Sequence, residues 1–234
     1  MSIFDYGCYI EEHFNSNNSV ADTEVGSYNW DIDILSSGAD TLSYETDEGE
    51  SFLRFTGGGS GAGDGTSLAL EPDSVSVNQY GGYIRTRVRI PDIASNTLAN
   101  NLFRIGFTDV VSSGEPVVGL WIDCAAGVMS FDSASANGDV STAFSAPSLT
   151  SNTTLVIGTI YNIELVWSGN NSNADPGPDT LVCYINGELA GKQDGTVLLD
   201  SAETMEPTIV HWTDASATLE LDVFGFEAAT YLLK

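Results

Sequence analysis

Across residues 161–193 the chain alternates apolar and polar positions in two runs, separated by a polar loop and closed by an Asn-Gly pair. In YNIELVW, Tyr161, Ile163, Leu165 and Trp167 recur at every second position; in LVCYI, Leu181, Cys183 and Ile185 do the same. A period of two places each set on one face of a β-sheet, because successive side chains of a strand point to opposite sides. Asn186 and Gly187 both tolerate positive φ, so the second run is expected to reverse into residues 188–191 as a tight hairpin.

The rest of the chain follows the same pattern. No segment sustains a helical period, and Gly, Ser, Thr, Asn and Asp punctuate the sequence about every ten residues, as turns between strands do. Strands are predicted over 51–55, 66–70, 82–90, 102–107, 117–124, 127–131, 154–157, 160–167, 181–185, 208–212 and 218–226. So many strands hide their apolar faces only in two stacked sheets or a closed barrel. No break in composition divides the 234 residues, so 14–234 reads as one domain. Residues 1–13, with Phe4, Tyr6, Tyr9 and Ile10, read as an N-terminal arm or an extra strand. The longer loops, 57–65, 134–148 and 169–179, are surface segments where a rigid scaffold places function.

The order of these pieces resembles the concanavalin A-like lectin and glucanase superfamily, which includes laminin G-like modules. The resemblance covers about residues 14–228 and rests on GGYIRTRVRI, LFRIGF and VGLWIDCAAGVMSF, then the pair YNIELVWSG and DTLVCYINGELAG, and a last strand LELDVFGFE. It implies an all-β fold: a two-sheet antiparallel jelly-roll β-sandwich, with the last strand pairing near the N-terminal one.

Fold does not carry function, so each family activity is tested at its working residues. A retaining glucanase needs acid and nucleophile carboxylates on one strand face, as in Glu-x-Asp-x-Glu. The nearest matches, Asp31-x-Asp33 and Glu220-x-Asp222, lack the third carboxylate and lie near the chain ends, so no enzyme is expected. The lectin branch holds calcium and a transition metal through Asp, Asn and His. With only His13 and His211 present, an imidazole-based site is not expected. Calcium ligation by oxygen atoms remains open for Asn170, Asn173, Asp175 and Asp179, or beside Asp64, though turn chemistry accounts for the same residues. No other cofactor is expected: the 57–65 loop lacks a Gly-Lys-Ser/Thr ending and a βαβ setting.

Two constellations are candidates for contact with a glycan or a partner. Arg85, Arg87 and Arg89 line one face of a strand whose other face carries Ile84, Val88 and Ile90. Such a ladder repels itself unless carboxylates stand across from it, so it reads as cross-strand ion pairing or as a grip on an acidic neighbour or anionic glycan. Trp121 alternates with Leu120 and Ile122, so it is free to face away from them with Asp123 beside it, and an aromatic ring next to a carboxylate is a sugar-site pattern. Trp167, in phase with Ile163 and Leu165, reads as core.

Asp and Glu number 33 against seven Lys and Arg, a net charge of −26. Such a polyanion repels phosphate backbones and anionic bilayers, so neither nucleic acid nor membrane is an expected partner. The first residues carry no basic segment ahead of an apolar core, so no signal peptide is read there. Cys8, Cys124 and Cys183 are an odd, widely spaced set, which argues against a disulfide framework and a thiolate metal site; Cys124 and Cys183, in strand patterns, read as small buried hydrophobes. A lectin-like sandwich without catalytic residues or export signal fits a virion structural protein of head-decoration or tail-fibre type, made in the host cytoplasm and exposed on the particle. Capsid or tail proteins and further copies of the chain would be its partners. The alternative expectation is a carbohydrate-binding module acting alone, and a distant third is a polysaccharide-degrading enzyme.

Overall fold

The computed structural model describes residues 4–14, 25–26, 28, 30–35, 40–58, 61–70, 81–110, 112–135, 138–168, 180–194, 205–214 and 218–233. Among them lie the strands β1 (Phe4–Glu12), β2 (Asp31–Ile34), β3 (Thr41–Asp47), β4 (Glu50–Gly57), β5 (Gly65–Ala69), β6 (Gly82–Arg89), β7 (Asn101–Thr108) and β8 (Gly119–Ala125). There follow β9 (Val128–Ser135), β10 (Gly138–Ala143), β11 (Tyr161–Trp167), β12 (Thr180–Ile185), β13 (Glu188–Asp194), β14 (Glu206–Thr213) and β15 (Leu219–Leu233). Its helical content among the described residues is one 3-10 turn, Leu98–Asn100.

The strands form two antiparallel sheets. One runs β13-β12-β11-β6-β15-β4-β3, with β1 also on β15; the other runs β10-β9-β8-β7-β14-β5-β2. The all-β, two-sheet sandwich is therefore the observed fold. The long β15 shares one flank between two partners: 219–223 pair with β4, while 226–233 pair with β1. The N-terminal residues 4–12 thus form a strand of the larger sheet.

The alternation seen in the sequence sets the register. Ile163, Leu165 and Trp167 stand opposite Ile185, Cys183 and Leu181, and Leu165 also faces Ile84 across β6. All seven are buried in one hydrophobic core between the sheets. Cys124 and Cys183 are free thiols in that core, as their setting in strand patterns implied. Trp30 packs edge-on against Phe226 at 5.3 Å, and Phe107 against Trp167 at 5.9 Å. Full burial of aliphatic and aromatic side chains of this size contributes about 1.5–3 kcal/mol each. The hairpin turn has φ of 50° at Asn186 and 79° at Gly187, the left-handed pair that a two-residue turn needs.

Two expectations are corrected. Residues 154–157 do not form a strand: Thr154 makes isolated bridges to Val128 and Thr150, and Leu155 is buried with its N–H bonded to Gly127 O. Leu155 belongs to the core and Ile157 packs against it while Val156 is exposed, and four residues are too few for periodicity to tell such a segment from a strand. Within 134–148, expected as loop, β10 pairs with β9 from Gly138 to Ala143.

Candidate recognition faces

The sequence-predicted contact residues fall on two different surfaces. Arg85, Arg87 and Arg89 project from β6 on the outer face of the eight-stranded sheet. Trp121 and Asp123 project from β8 on the outer face of the seven-stranded sheet, since their neighbours Leu120, Ile122 and Cys124 belong to the core. They do not form one site.

On the eight-stranded sheet the strand register supplies the carboxylates that a ladder of arginines requires. Glu164 of β11 and Glu227 of β15 stand on either side of Arg85, at 2.7 and 3.6 Å. Arg87 grips both oxygens of Glu50 at 3.1 and 2.8 Å. Arg89 reaches Asp47 at 2.7 Å and Asp222 at 2.8 Å. Asp222, fully buried, also receives Arg54 at 2.7 and 3.1 Å. Glu220 pairs with Arg54 at 3.1 Å, so the carboxylates closest to a glucanase pattern are held in ion pairs. Phe52 and Phe224, their rings 5.0 Å apart, lie beneath the guanidinium of Arg89. Burial alone would lower the pKa of Arg85 and Arg89, but their carboxylate partners outweigh it and raise both.

Beside this ladder lies a groove of about 400 Å³. Arg85, Arg87, Glu164 and Glu227 line it together with the rings of Tyr184 and Phe224, and the end of β1 at residues 11–13 forms one wall. Gly225, also on the lining, lets β1 approach closely: a Cβ there would lie 3.1 Å from Glu12 O. Glu227 also accepts a hydrogen bond from the Tyr83 hydroxyl, so its carboxylate is fixed from two sides. None of Glu164, Glu227, Tyr184 and Phe224 was singled out as a contact residue in the sequence. Their alternation was visible, but which strand lies beside β6 was not.

On the seven-stranded sheet Trp121 is not an open platform. Its residue is 1% exposed, and the guanidinium of Arg104 lies 5.5 Å from its ring centre. Trp212 of β14 flanks the same guanidinium at 5.3 Å, so Arg104 is stacked between two indoles. Gly106, opposite Trp121, leaves room for the approach; a Cβ there would sit 2.6 Å from the Trp121 Cα. Arg104 faces Asp123 across the ladder, with Nε and Oδ1 3.6 Å apart, too far for a hydrogen bond. Among the described residues neither atom has a hydrogen-bond partner. Burial pushes the Asp123 carboxyl up to about 7; Arg104 opposes this, and Asp132 and Glu115 reinforce it. Burial likewise raises Asp132, against hydrogen bonds from Ser141 and Ser130. Burial lowers Arg104, against the same three carboxylates.

His211 is buried, with Nε2 3.1 Å from Asn101 Oδ1, and burial depresses its pKa to about 3. His13 is exposed beside Glu11 at 2.9 Å. The Asp64 carboxylate accepts the Gly61 N–H at 2.8 Å, the turn chemistry weighed for it. The calcium candidates Asn170, Asn173, Asp175 and Asp179 lie outside the described residues.

No protein-family model matches the sequence, and no curated protein matches it. Solved structures do match in shape. The receptor binding domain of botulinum neurotoxin D superposes with a TM-score of 0.59 at 18% identity over 97% of this chain and 50% of that one. The binding domain of botulinum neurotoxin DC, solved with rat synaptotagmin II, gives 0.57 at 14% over 94% and 48%. The Emp47p carbohydrate recognition domain gives 0.58 at 10% identity, over 98% of this chain and 97% of that one. The chain spans about half the length of the toxin binding domains it matches and nearly all of the Emp47p domain. At these identities the likeness establishes a lectin-like jelly-roll sandwich.

Proposed function

We propose that the chain is a carbohydrate-recognition domain that holds a neutral glycan in the groove on the outer face of the eight-stranded sheet. The observation that carries this reading is the groove itself: about 400 Å³, with fixed carboxylates, guanidinium groups and two aromatic rings on its walls. That size lies within the range of small-ligand sites, at its lower end. Arg85 fixes Glu164 and the Tyr83 hydroxyl fixes Glu227, yet each carboxylate keeps lone pairs that accept a sugar hydroxyl, and the guanidinium edges donate to one. Because these side chains are already clamped, little rotamer freedom is lost when the ligand arrives. Tyr184 offers apolar surface to the C–H face of a sugar ring. The charge of −26 disfavours uronates and sialylated glycans. The fold shared with the Emp47p domain supports the same reading, as does the binding role of the toxin domains.

The domain acts by binding and carries out no turnover. A virion surface, the setting expected from the sequence, is compatible with this role, because a recognition module on a particle serves attachment as well as architecture. Detection of the chain in purified particles would support that setting.

Binding to an array of neutral glycans, followed by calorimetric titration of the best ligand, tests the proposal. Tyr184→Ala and Arg85→Ala are expected to weaken that ligand at least about tenfold, the loss of one or two good contacts, with unchanged circular dichroism. A folded chain that binds no neutral glycan, or binds one equally well in both variants, would overturn the assignment to this groove.

A further inference from the structure

The Arg104 stack on the opposite face is left unused by the groove. Arg104 is 2% exposed, yet its contacts are poor for a buried cation. Glu115 Oε2 is 3.7 Å from Nη2, Asp123 Oδ1 is 3.6 Å from Nε, and among the described residues the one short contact is Nη1 donating to the Gly114 carbonyl at 2.6 Å. A buried donor and a buried acceptor thus face each other without touching. Leaving such groups unsatisfied is costly, and buried polar atoms without partners are rare.

A hydroxyl group is the chemical answer to this geometry. It both donates and accepts, and an oxygen about 2.8 Å from each atom satisfies Asp123 and Arg104 together across a 3.6 Å gap. Asp123, Asp132 and Glu115 surround one guanidinium, so an anion is excluded by charge and a neutral polyol is favoured. The indoles of Trp121 and Trp212 hold the guanidinium between them and so fix where its Nε sits relative to Asp123. The segment 112–115 lies against the Nη edge of Arg104 through Gly114 and Glu115. Its tip is tied to the sheet by the Arg104 bond to Gly114, while the Gly114 N–H turns inward to Ser112 Oγ at 3.2 Å. The Glu115 side chain remains 71% exposed.

We propose that Arg104 and Asp123, flanked by Trp121 and Trp212, form a second recognition site for a hydroxyl of a neutral sugar, masked by residues 112–115. Thr108 and Gly119 pair directly across β7 and β8, so an Asn-Gly turn in place of 109–118 closes the same hairpin and removes the mask. The shortened chain and the full chain are compared on an array of neutral mono- to trisaccharides, with acrylamide quenching of tryptophan fluorescence measured in parallel. The shortened chain is expected to quench more strongly and to bind at least one neutral sugar tenfold or more tighter than the full chain. In that background Arg104→Gln and Asp123→Ala are expected to abolish the gain, while Tyr184→Ala in the groove leaves it intact. This separates the second site from the first: a gain lost on Tyr184→Ala belongs to the groove and overturns the inference. A cooperatively folded shortened chain with no gain, or a gain that survives Arg104→Gln, overturns it as well. If the shortened chain does not fold, a same-length replacement of 112–115 by Gly-Ser-Gly-Ser is judged by the same readings, and no gain there overturns the proposal.

Discussion

Arg85, Arg87 and Arg89 on the eight-stranded sheet keep 50%, 36% and 13% of their side chains in solvent, whereas Arg104 on the seven-stranded sheet keeps 3%. The first three meet carboxylates at hydrogen-bonding distance; the fourth meets them at 3.6 and 3.7 Å and relies on indole faces and a carbonyl. Exposed ion pairs cost little to form and contribute little, so they are suited to holding side chains in place for a ligand. A buried arginine with long contacts leaves much of its desolvation cost uncompensated, which marks a place built for something besides stability.

The contrast breaks most readily at Asp222, where the eight-stranded face has its own buried centre. Asp222→Asn removes the charge that Arg54 and Arg89 share and leaves them Glu220 and Asp47; loss of such charge-assisted hydrogen bonds costs about 1.5–3 kcal/mol. Urea unfolding is the measurement, and a loss below about 1 kcal/mol, the scale of a surface pair, would deny Asp222 that central part.

The second test lies across the sandwich and has a sign in pH. Asp123 titrates near 7 in the folded chain, against about 3.9 when unfolded. The folded state therefore holds this proton more tightly, so the stabilisation is complete below about pH 4 and is lost as pH rises toward 7. Asp132, raised in the same direction, acts with it. Thermal midpoints are expected to fall between pH 5 and 8, and Asp123→Asn should flatten part of that slope. An unchanged slope in the variant would place the titrating group elsewhere.

The smallest effect on stability belongs to Arg85→Ala. Half exposed, Arg85 is expected to contribute no more than about 1 kcal/mol to unfolding, although the same substitution is the one expected to weaken glycan binding. A large destabilisation would recast the ladder as a structural brace.

The strands that sequence reading missed have one thing in common. β2, β3 and β10 end their sheets, so each has a neighbour on one side and its period is diluted by residues that need not be apolar. DVSTA in β10 carries no hydrophobic alternation at all, yet its pairing with β9 is regular from Gly138 to Ala143. At the site, the outward phase of Arg85, Trp121 and Asp123 was legible from their inward neighbours. Arg104 was equally legible between Phe103 and Ile105, but nothing in one strand reveals that two tryptophans 91 positions apart will close over it.

Local alternation and turn chemistry determined that this chain makes strands, which residues of each strand face inward, and where the Asn186-Gly187 hairpin reverses. Those are properties of neighbouring residues, set by the two-residue repeat of an extended backbone and by the φ that two positions tolerate. The tertiary structure decided which strands lie side by side, and with that which carboxylate meets which arginine and which indole is covered. Burial and charge pairing depend on distances between residues far apart in the chain, and those distances exist only once the two sheets have packed.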